Sequence, residues 1–293
     1  MFKFKKYGHW YFLGASALAV FVVWSAVFYI ETHRSRVFIY ILDVGQGDAI
    51  FIEAPNGNQV LIDGGPDSMV IARLGEVMPF WDRSLDLVVL THPHADHLNG
   101  LLEVLKRYDV GLVLETGVNH TIPEYDEWHK LLGNKGIKVA IAKSGQKARL
   151  AAGVYLDVLT PFEDWKGKSP KDIHDAMVVL KLVYASATAL LMGDAERSLE
   201  RQLIAMGADL YADVLKVGHH GSKTSTFDEF LWATSPKIAV ISAGRRNRYG
   251  HPHQEVIDRL MRLGIETLRT DQDGDITFES DGRSFKRVSA VAR

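Results

Sequence analysis

Three imidazoles and a carboxylate crowd one short turn of this chain, His92-Pro93-His94-Ala95-Asp96-His97. The turn follows the apolar run Leu87-Val88-Val89-Leu90 and opens an amphipathic stretch over 98–105. A strand delivers it and a helix leads away from it. Nitrogen and oxygen donors gathered in this way suit a borderline divalent cation. Histidines scattered over a surface do not show this spacing, so the segment predicts a metal centre.

Five further polar clusters stand beside apolar runs. Asp63 follows Val60-Leu61-Ile62 and precedes Gly64-Gly65, and His174-Asp175 precedes an apolar run over 177–180. Asp194 follows Leu190-Leu191-Met192-Gly193, His219-His220 follows Lys216-Val217-Gly218, and His251-Pro252-His253 follows Tyr249-Gly250. Polar groups recurring at strand ends fit a site built along one sheet edge. Each alone has a simpler reading. Asp-Gly is also a turn, one histidine after a strand is also a satisfied polar residue, and Pro252 also suits the first turn of a helix.

The elements that must position these groups follow from pattern. Short β-branched and aromatic runs predict strands at 37–42, 49–53 and 59–62, with Asn56-Gly57 as a hairpin signal. Helices are expected at 69–78, 96–108 and 124–132, and strands at 86–90, 110–115 and 138–142. A second set places strands at 154–159, 177–184, 187–192, 214–217 and 238–242, with helices at 195–206, 227–233 and 254–263. Strands return at 276–279 and 285–288, and 162–172 is a loop. Meanders mixed with βα units in both halves suit an α/β fold, a four-layer αββα sandwich of two sheets with helices outside. No linker interrupts it, so 37–293 is expected to be one domain.

Residues 10–30 carry no formal charge. At about 1.5 Å per helical residue they span a bilayer of about 30 Å. Trp10, Tyr11 and Tyr29 sit at the ends, Lys3, Lys5 and Lys6 precede, and Arg34 and Arg36 follow with Glu31. This predicts a membrane anchor over 1–36, a single-pass helix in the cytoplasmic membrane with the remaining chain outside. A cleaved signal peptide is the alternative, but the apolar run is long for one and no small-residue cleavage site follows it.

Composition excludes some chemistry. Cysteine is absent, which removes disulfides, thiolate ligands and cysteine nucleophiles together. A net charge of −2 offers no global basic field for nucleic acid, so any such contact must be local.

The ordered motifs resemble a known family. His92-x-His94-x-Asp96-His97 is similar to the signature of the metallo-β-lactamase superfamily. Asp43-Val44-Gly45-Gln46-Gly47-Asp48, Leu61-Ile62-Asp63-Gly64-Gly65, Lys216-Val217-Gly218-His219-His220-Gly221-Ser222, Tyr249-Gly250-His251-Pro252-His253 and Arg269-Thr270-Asp271-Gln272-Asp273-Gly274 resemble the hydrolase domain of ComEC-like competence proteins. The resemblance runs from about residue 37 to the C-terminus.

It implies two divalent cations, Zn²⁺ or Mn²⁺. His92 and His94 would bind one, Asp96 and His97 the other, and Asp194 would bridge them. His219 or His220 would complete the second position, with a slight preference for His219. His174 stands where the competence pattern has an Asn-rich stretch; it is either a further ligand to the first ion or a surface histidine. Asp63 would hold the histidine loop from behind the ligands. Asp43 and Asp48 are either part of the site rim or turn caps. Asp96 at the metal, His251 and His220 are candidate catalytic residues, with His251 or the free member of the doublet as general acid; His253 belongs to the helix start.

The resemblance also implies DNA as substrate and partner, during competence-type uptake. Lys216, Lys223, Arg245, Arg246 and Arg248 lie in motif loops where they would meet phosphates, or else form solvated loops. There is no room here for the family's channel, so a separate channel subunit is a possible partner. Two other readings stay open: a hydrolase of small esters (thioester, phosphocholine ester or lactam), and a non-catalytic module that guides DNA.

Overall fold

β-branched runs flanked by glycine turns become strands throughout the second unit of this computed structural model, which describes residues 8–33 and 36–288. The chain divides into two units, Met1–Arg36 and Val37–Arg293. The first is a helix, α1 (Gly8–His33). Its described large side chains, Phe21 and Trp24 among them, are exposed within the unit.

The membrane-spanning expectation is corrected here: among the described residues no helix is long and apolar enough to cross a membrane. Lys3, Lys5, Lys6 and Arg34 lie outside the described residues.

In the second unit, β1 (Val37–Ile41), β2 (Ile50–Glu53) and β3 (Gln59–Ile62) form a meander. The chain continues through α2 (Met69–Val77), β4 (Ser84–Val89), α3 (Ala95–Arg107), β5 (Asp109–Glu115), α4 (Pro123–Lys135) and β6 (Lys138–Ile141). The second half repeats this plan. β7 (Lys147–Ala151), β8 (Val154–Val158), β9 (Leu180–Tyr184) and β10 (Ala187–Leu191) form a meander, followed by α5 (Arg197–Ala205), β11 (Val214–Lys216), α6 (Asp228–Thr234), β12 (Ile238–Ile241), α7 (Gln254–Arg262), β13 (Glu266–Arg269) and α8 (Thr270–Asp273). β14 (Ile276–Ser280) and β15 (Lys286–Val288) return to the first sheet.

The strand orders are β15-β14-β1-β2-β3-β4-β5-β6 and β13-β12-β11-β10-β9-β8-β7. Strands β3 to β6 are parallel to one another, as are β10 to β13. Parallel strands buried on both faces read as continuous apolar runs, which is why Val60-Leu61-Ile62 and Leu87–Leu90 lack alternation. Ile39, Val60, Val89, Leu156, Leu182 and Val240 fill the space between the sheets. Leu74, Leu101, Leu105 and Trp128 seal α2–α4 against the first sheet, and Leu199, Leu203, Phe230 and Leu260 seal α5–α7 against the second. Each such side chain contributes about 1.5–3 kcal/mol over leaving it in water. The result is the four-layer sandwich, and each run of parallel strands ends on loops that carry motif residues.

Candidate metal centre

The histidine loop is held from the strand beside it. Asp63, just past β3, has a left-handed backbone (φ 58°). Its carboxylate accepts the Thr91 amide at 2.8 Å and the Thr91 hydroxyl at 2.7 Å, and it pairs with His97 Nδ1 at 2.8 Å. This leaves His97 Nε2 turned the other way. The Asp63-Gly64-Gly65 turn also grips α3 directly. Gly64 N–H donates to His97 O at 2.8 Å and Gly100 N–H to Gly65 O at 3.0 Å. A Cβ on Gly100 would lie 1.8 Å from Gly64 O, so only glycine permits this approach. Replacing Asp63 by Ala should lower cation affinity by about 10–100-fold, since an orienting partner behind a ligand is worth that much. A chelator-competition titration checks it, and unchanged affinity would remove Asp63 from the site.

The facing half comes from the second sheet. Asp194 follows β10, and His219-His220 occupies a 3-10 turn, Gly218–Gly221, after β11. Both histidines adopt left-handed backbone, φ 48° and 54°. That costs roughly 1–2 kcal/mol per residue, and such strain persists where surrounding contacts over-determine it. His220 Nδ1 faces Ser242 O at 3.1 Å and Asp48 Oδ1 at 3.3 Å. Its Nε2 lies 3.3 Å from Asp194 Oδ1 and 3.4 Å from Asp96 Oδ2. His219 turns differently: Nδ1 is 3.0 Å from Glu196 Oε1, and Nε2 is 3.7 Å from Asp194 Oδ2.

Two donor groups share Asp194. His92, His94, His174 and Asp194 form one; Asp96, His97, Asp194 and His220 form the other, with ligand atoms within 4.8 Å of one another in each. The structure therefore brings His220, rather than the slightly preferred His219, into the second group, and it brings His174 into the first. The inward atoms are telling. His92 Nε2, His97 Nε2, His174 Nε2, His220 Nε2 and Asp194 Oδ1 are buried without a hydrogen-bond partner. Each such orphan costs roughly 1–3 kcal/mol, and a cation in each group would satisfy them. The residues thus fit two divalent cations.

Protons carry the positive charge that Asp194 demands here. Burial opposes charge on His220, but Asp194 and Asp48 outweigh it and raise its pKa to about 9. His97 is likewise pushed well above the ordinary imidazole value, against burial, by Asp194 and Asp63. Burial would raise Asp194, yet His220 and His97 hold it well below the usual carboxylate range. In the first group burial and His97 push His92 well down, and burial and His174 lower His94 to about 4. Cations entering the second group must displace protons from His97 and His220.

Other expectations are corrected. Lys216 does not face solvent: it is buried, with Nζ 2.9 Å from Asp48 Oδ1 and donating to Val217 O at 3.0 Å. An ammonium locked in a buried pair cannot meet a DNA phosphate. Asp48 is neither rim nor cap but the buried acceptor behind His220. Burial works against its charge, and Lys216 and His220 more than compensate. Asp43 is a turn residue, accepting Gly45 N–H at 3.3 Å, with its own amide donating to Asp275 at 2.6 Å. His251 lies 5.6 Å from His219 and 6.3 Å from His220, ring to ring. Burial and His220 lower its pKa to about 4, so at neutral pH it holds no extra proton to give as a general acid.

Lys223, Arg245, Arg246 and Arg248 are exposed, and Arg248 stands near enough to Asp96 to feel its charge. His253 precedes α7 and caps it through its carbonyl, which accepts Val256 N–H at 3.0 Å. Glu196, the partner of His219, escaped the sequence reading, though it stands two residues beyond Asp194 at the same strand end. Thr91, held by Asp63, escaped it too.

A model of the metallo-beta-lactamase superfamily matches residues 42–245. Among curated proteins, ComE operon protein 3 of Bacillus subtilis (strain 168) is 34% identical over 261 residues, covering 83% of this chain and 33% of that protein. Competence protein ComA of Neisseria gonorrhoeae is 32% identical over 250 residues, covering 84% of this chain and 32% of ComA. The chain thus spans about one third of the length of these relatives. Among solved structures, the metallo-beta-lactamase fold protein YhfI from Bacillus subtilis aligns with a TM-score of 0.56 at 13% identity, covering 84% of this chain and 100% of YhfI. Igni18, a metallo hydrolase from Ignicoccus hospitalis KIN4/I, aligns with a TM-score of 0.52 at 19% identity, covering 82% and 98%. With its two sheets, its shared aspartate and this match over most of its second unit, the chain belongs to the metallo-beta-lactamase superfamily.

Proposed function

We propose that this protein is a dinuclear metal-dependent phosphodiesterase that cleaves DNA, in the setting of DNA uptake alongside a membrane channel. One observation carries the chemistry: two largely buried donor groups share Asp194, and five of their inward atoms lack a hydrogen-bond partner. Similarity to competence proteins and the exposed Arg248, which feels the charge of Asp96, support DNA as the substrate. His92, His94 and His174 would hold one ion, Asp96, His97 and His220 the other, and Asp194 both. Paired divalent cations lower the pKa of bound water and stabilise charge on phosphoryl oxygens.

The chain's own residues supply the rest. Arg245, Arg246, Arg248 and Lys223 hold the phosphate backbone, so binding weakens as salt rises. His219 is the member of the doublet outside the ligand groups. Its Nδ1 is fixed by Glu196, which turns Nε2 toward the site; the doubly protonated ring would give the Nε2 proton to the departing alkoxide and keep Nδ1–H on Glu196. His251, neutral at rest, is an acceptor beside it.

The test is cleavage of single- and double-stranded DNA by the purified chain before chelation, after it, and after restoring Zn²⁺ or Mn²⁺. Activity should vanish and return. Metal-loaded protein that leaves every DNA intact while hydrolysing a thioester, lactam or phosphocholine ester would move the site to the small-ester class.

A further inference from the structure

A cavity of about 530 Å³ opens beside the metal centre, and the mechanism above leaves it unused. It lies at the C-terminal end of β5, the strand next to the one that delivers the histidine loop. Six lining residues decide its character: Glu115, His120, Tyr125, His129, Ile141 and Lys166. His120 is the joint. Its ring lies 6.2 Å from that of His94 and 6.4 Å from that of Tyr125, so one imidazole separates the ligand cluster from the cavity. Tyr125 and His129 meet edge to face at 4.5 Å. Ile141 supplies an apolar wall, and Lys166 is exposed.

Glu115 makes the cavity selective. It is 2% exposed, yet lines this space. Oε2 accepts the Trp128 indole N–H at 2.7 Å, whereas Oε1 is 3.7 Å from His129 Nε2, beyond hydrogen-bond distance. Burial pushes its carboxyl up, against the His129 imidazole and the Trp128 N–H that lower it. His120 Nδ1 is also buried without a partner. A carboxylate only accepts, and each oxygen has lone pairs to spare. The missing occupant is therefore flat, fits among rings and carries donors along one edge.

We infer that this cavity is a nucleobase subsite that takes guanine from the strand held at the metal centre, with Glu115 accepting its ring N–H and exocyclic amine and the rings of His120, Tyr125 and His129 framing its face. This rests on the DNA reading for its biological meaning, but it can be measured without cleavage. Base stacking on aromatic side chains tolerates any base, so Glu115 is what supplies discrimination. Thymine offers carbonyl oxygens on either side of its single ring N–H and would set acceptors against the carboxylate.

The test is calorimetric titration of the metal-loaded full chain with dGMP, dCMP, dAMP and dTMP. The expected result is dGMP binding about tenfold or more tighter than dTMP, the worth of one good paired base contact. Glu115→Gln should erase that preference. Ile141→Trp, which fills the cavity from its apolar wall and spares the Trp128 bond, should weaken all four nucleotides and keeps the proposal testable should Glu115→Gln fail to fold. Equal affinity for the four nucleotides in the unaltered protein, or a preference untouched by both variants, would overturn it. The two readings fail separately. DNA cleavage without base preference removes the subsite and keeps the nuclease, while base-selective binding without DNA cleavage does the reverse.

Discussion

Asp194→Ala should abolish metal-dependent DNA cleavage, with a fall of at least about a thousandfold in turnover. Metal-ion catalysis supplies several kcal/mol of transition-state stabilisation, and about 1.4 kcal/mol is a factor of ten in rate. Asp194 is the only residue common to both full donor groups, so one substitution weakens both positions at once. The variant should remain folded. Its loss strips His97 and His220 of the anion that raises their pKa values, and both imidazoles can answer by shedding a proton. Circular dichroism should therefore match the parent while elemental analysis shows a loss of bound cation. Retained cleavage by a variant depleted of metal would reject the dinuclear arrangement. Retained cation with lost cleavage would instead assign Asp194 a role in chemistry rather than in holding the ions.

The residues that converge on this centre were legible because of where they stand in sequence. His92, Asp194 and His220 each follow an apolar run, and parallel strands bring such ends to one edge. What sequence could not supply was the direction of a side chain. His219 and His220 are neighbours with the same backbone handedness, and only the fold decides that one faces Asp96 and the other Glu196. Asp48 looked like a loop-rim residue since glycines surround it; Gly47, whose added Cβ would lie 2.2 Å from Asp96 O, in fact lets that loop press against α3. The strands missed in the reading, β7 and β13, are the two edges of the second sheet. Edge strands bury less and carry charge, here Lys147 and Arg149, Glu266 and Arg269, so their apolar pattern is faint. Residues 10–30 were read as a span from their composition, and among the described residues no helix is long and apolar enough to cross a membrane.

Lys216→Met should destabilise the fold by about 3–5 kcal/mol, the cost of leaving one member of a buried pair uncompensated. Lys216 and Asp48 are 0% and 1% exposed and 2.9 Å apart, so the carboxylate loses its ammonium, keeps only His220 beside it and has no water to turn to. The Val217 carbonyl also loses its donor. For a domain of this size each kcal/mol moves the melting temperature by about 2–4 °C, so the expected drop is about 6–20 °C. Adding Asp48→Asn removes the stranded charge, and the double variant should recover much of that loss. It should not recover its cation. Asp48 also backs His220 Nδ1 at 3.3 Å, so the second position should bind about 10–100-fold more weakly. Stability and metal affinity therefore part in the double variant, which a protein using Lys216 merely to contact DNA would not show. Such a protein would keep its melting temperature and lose only part of the salt dependence of DNA binding.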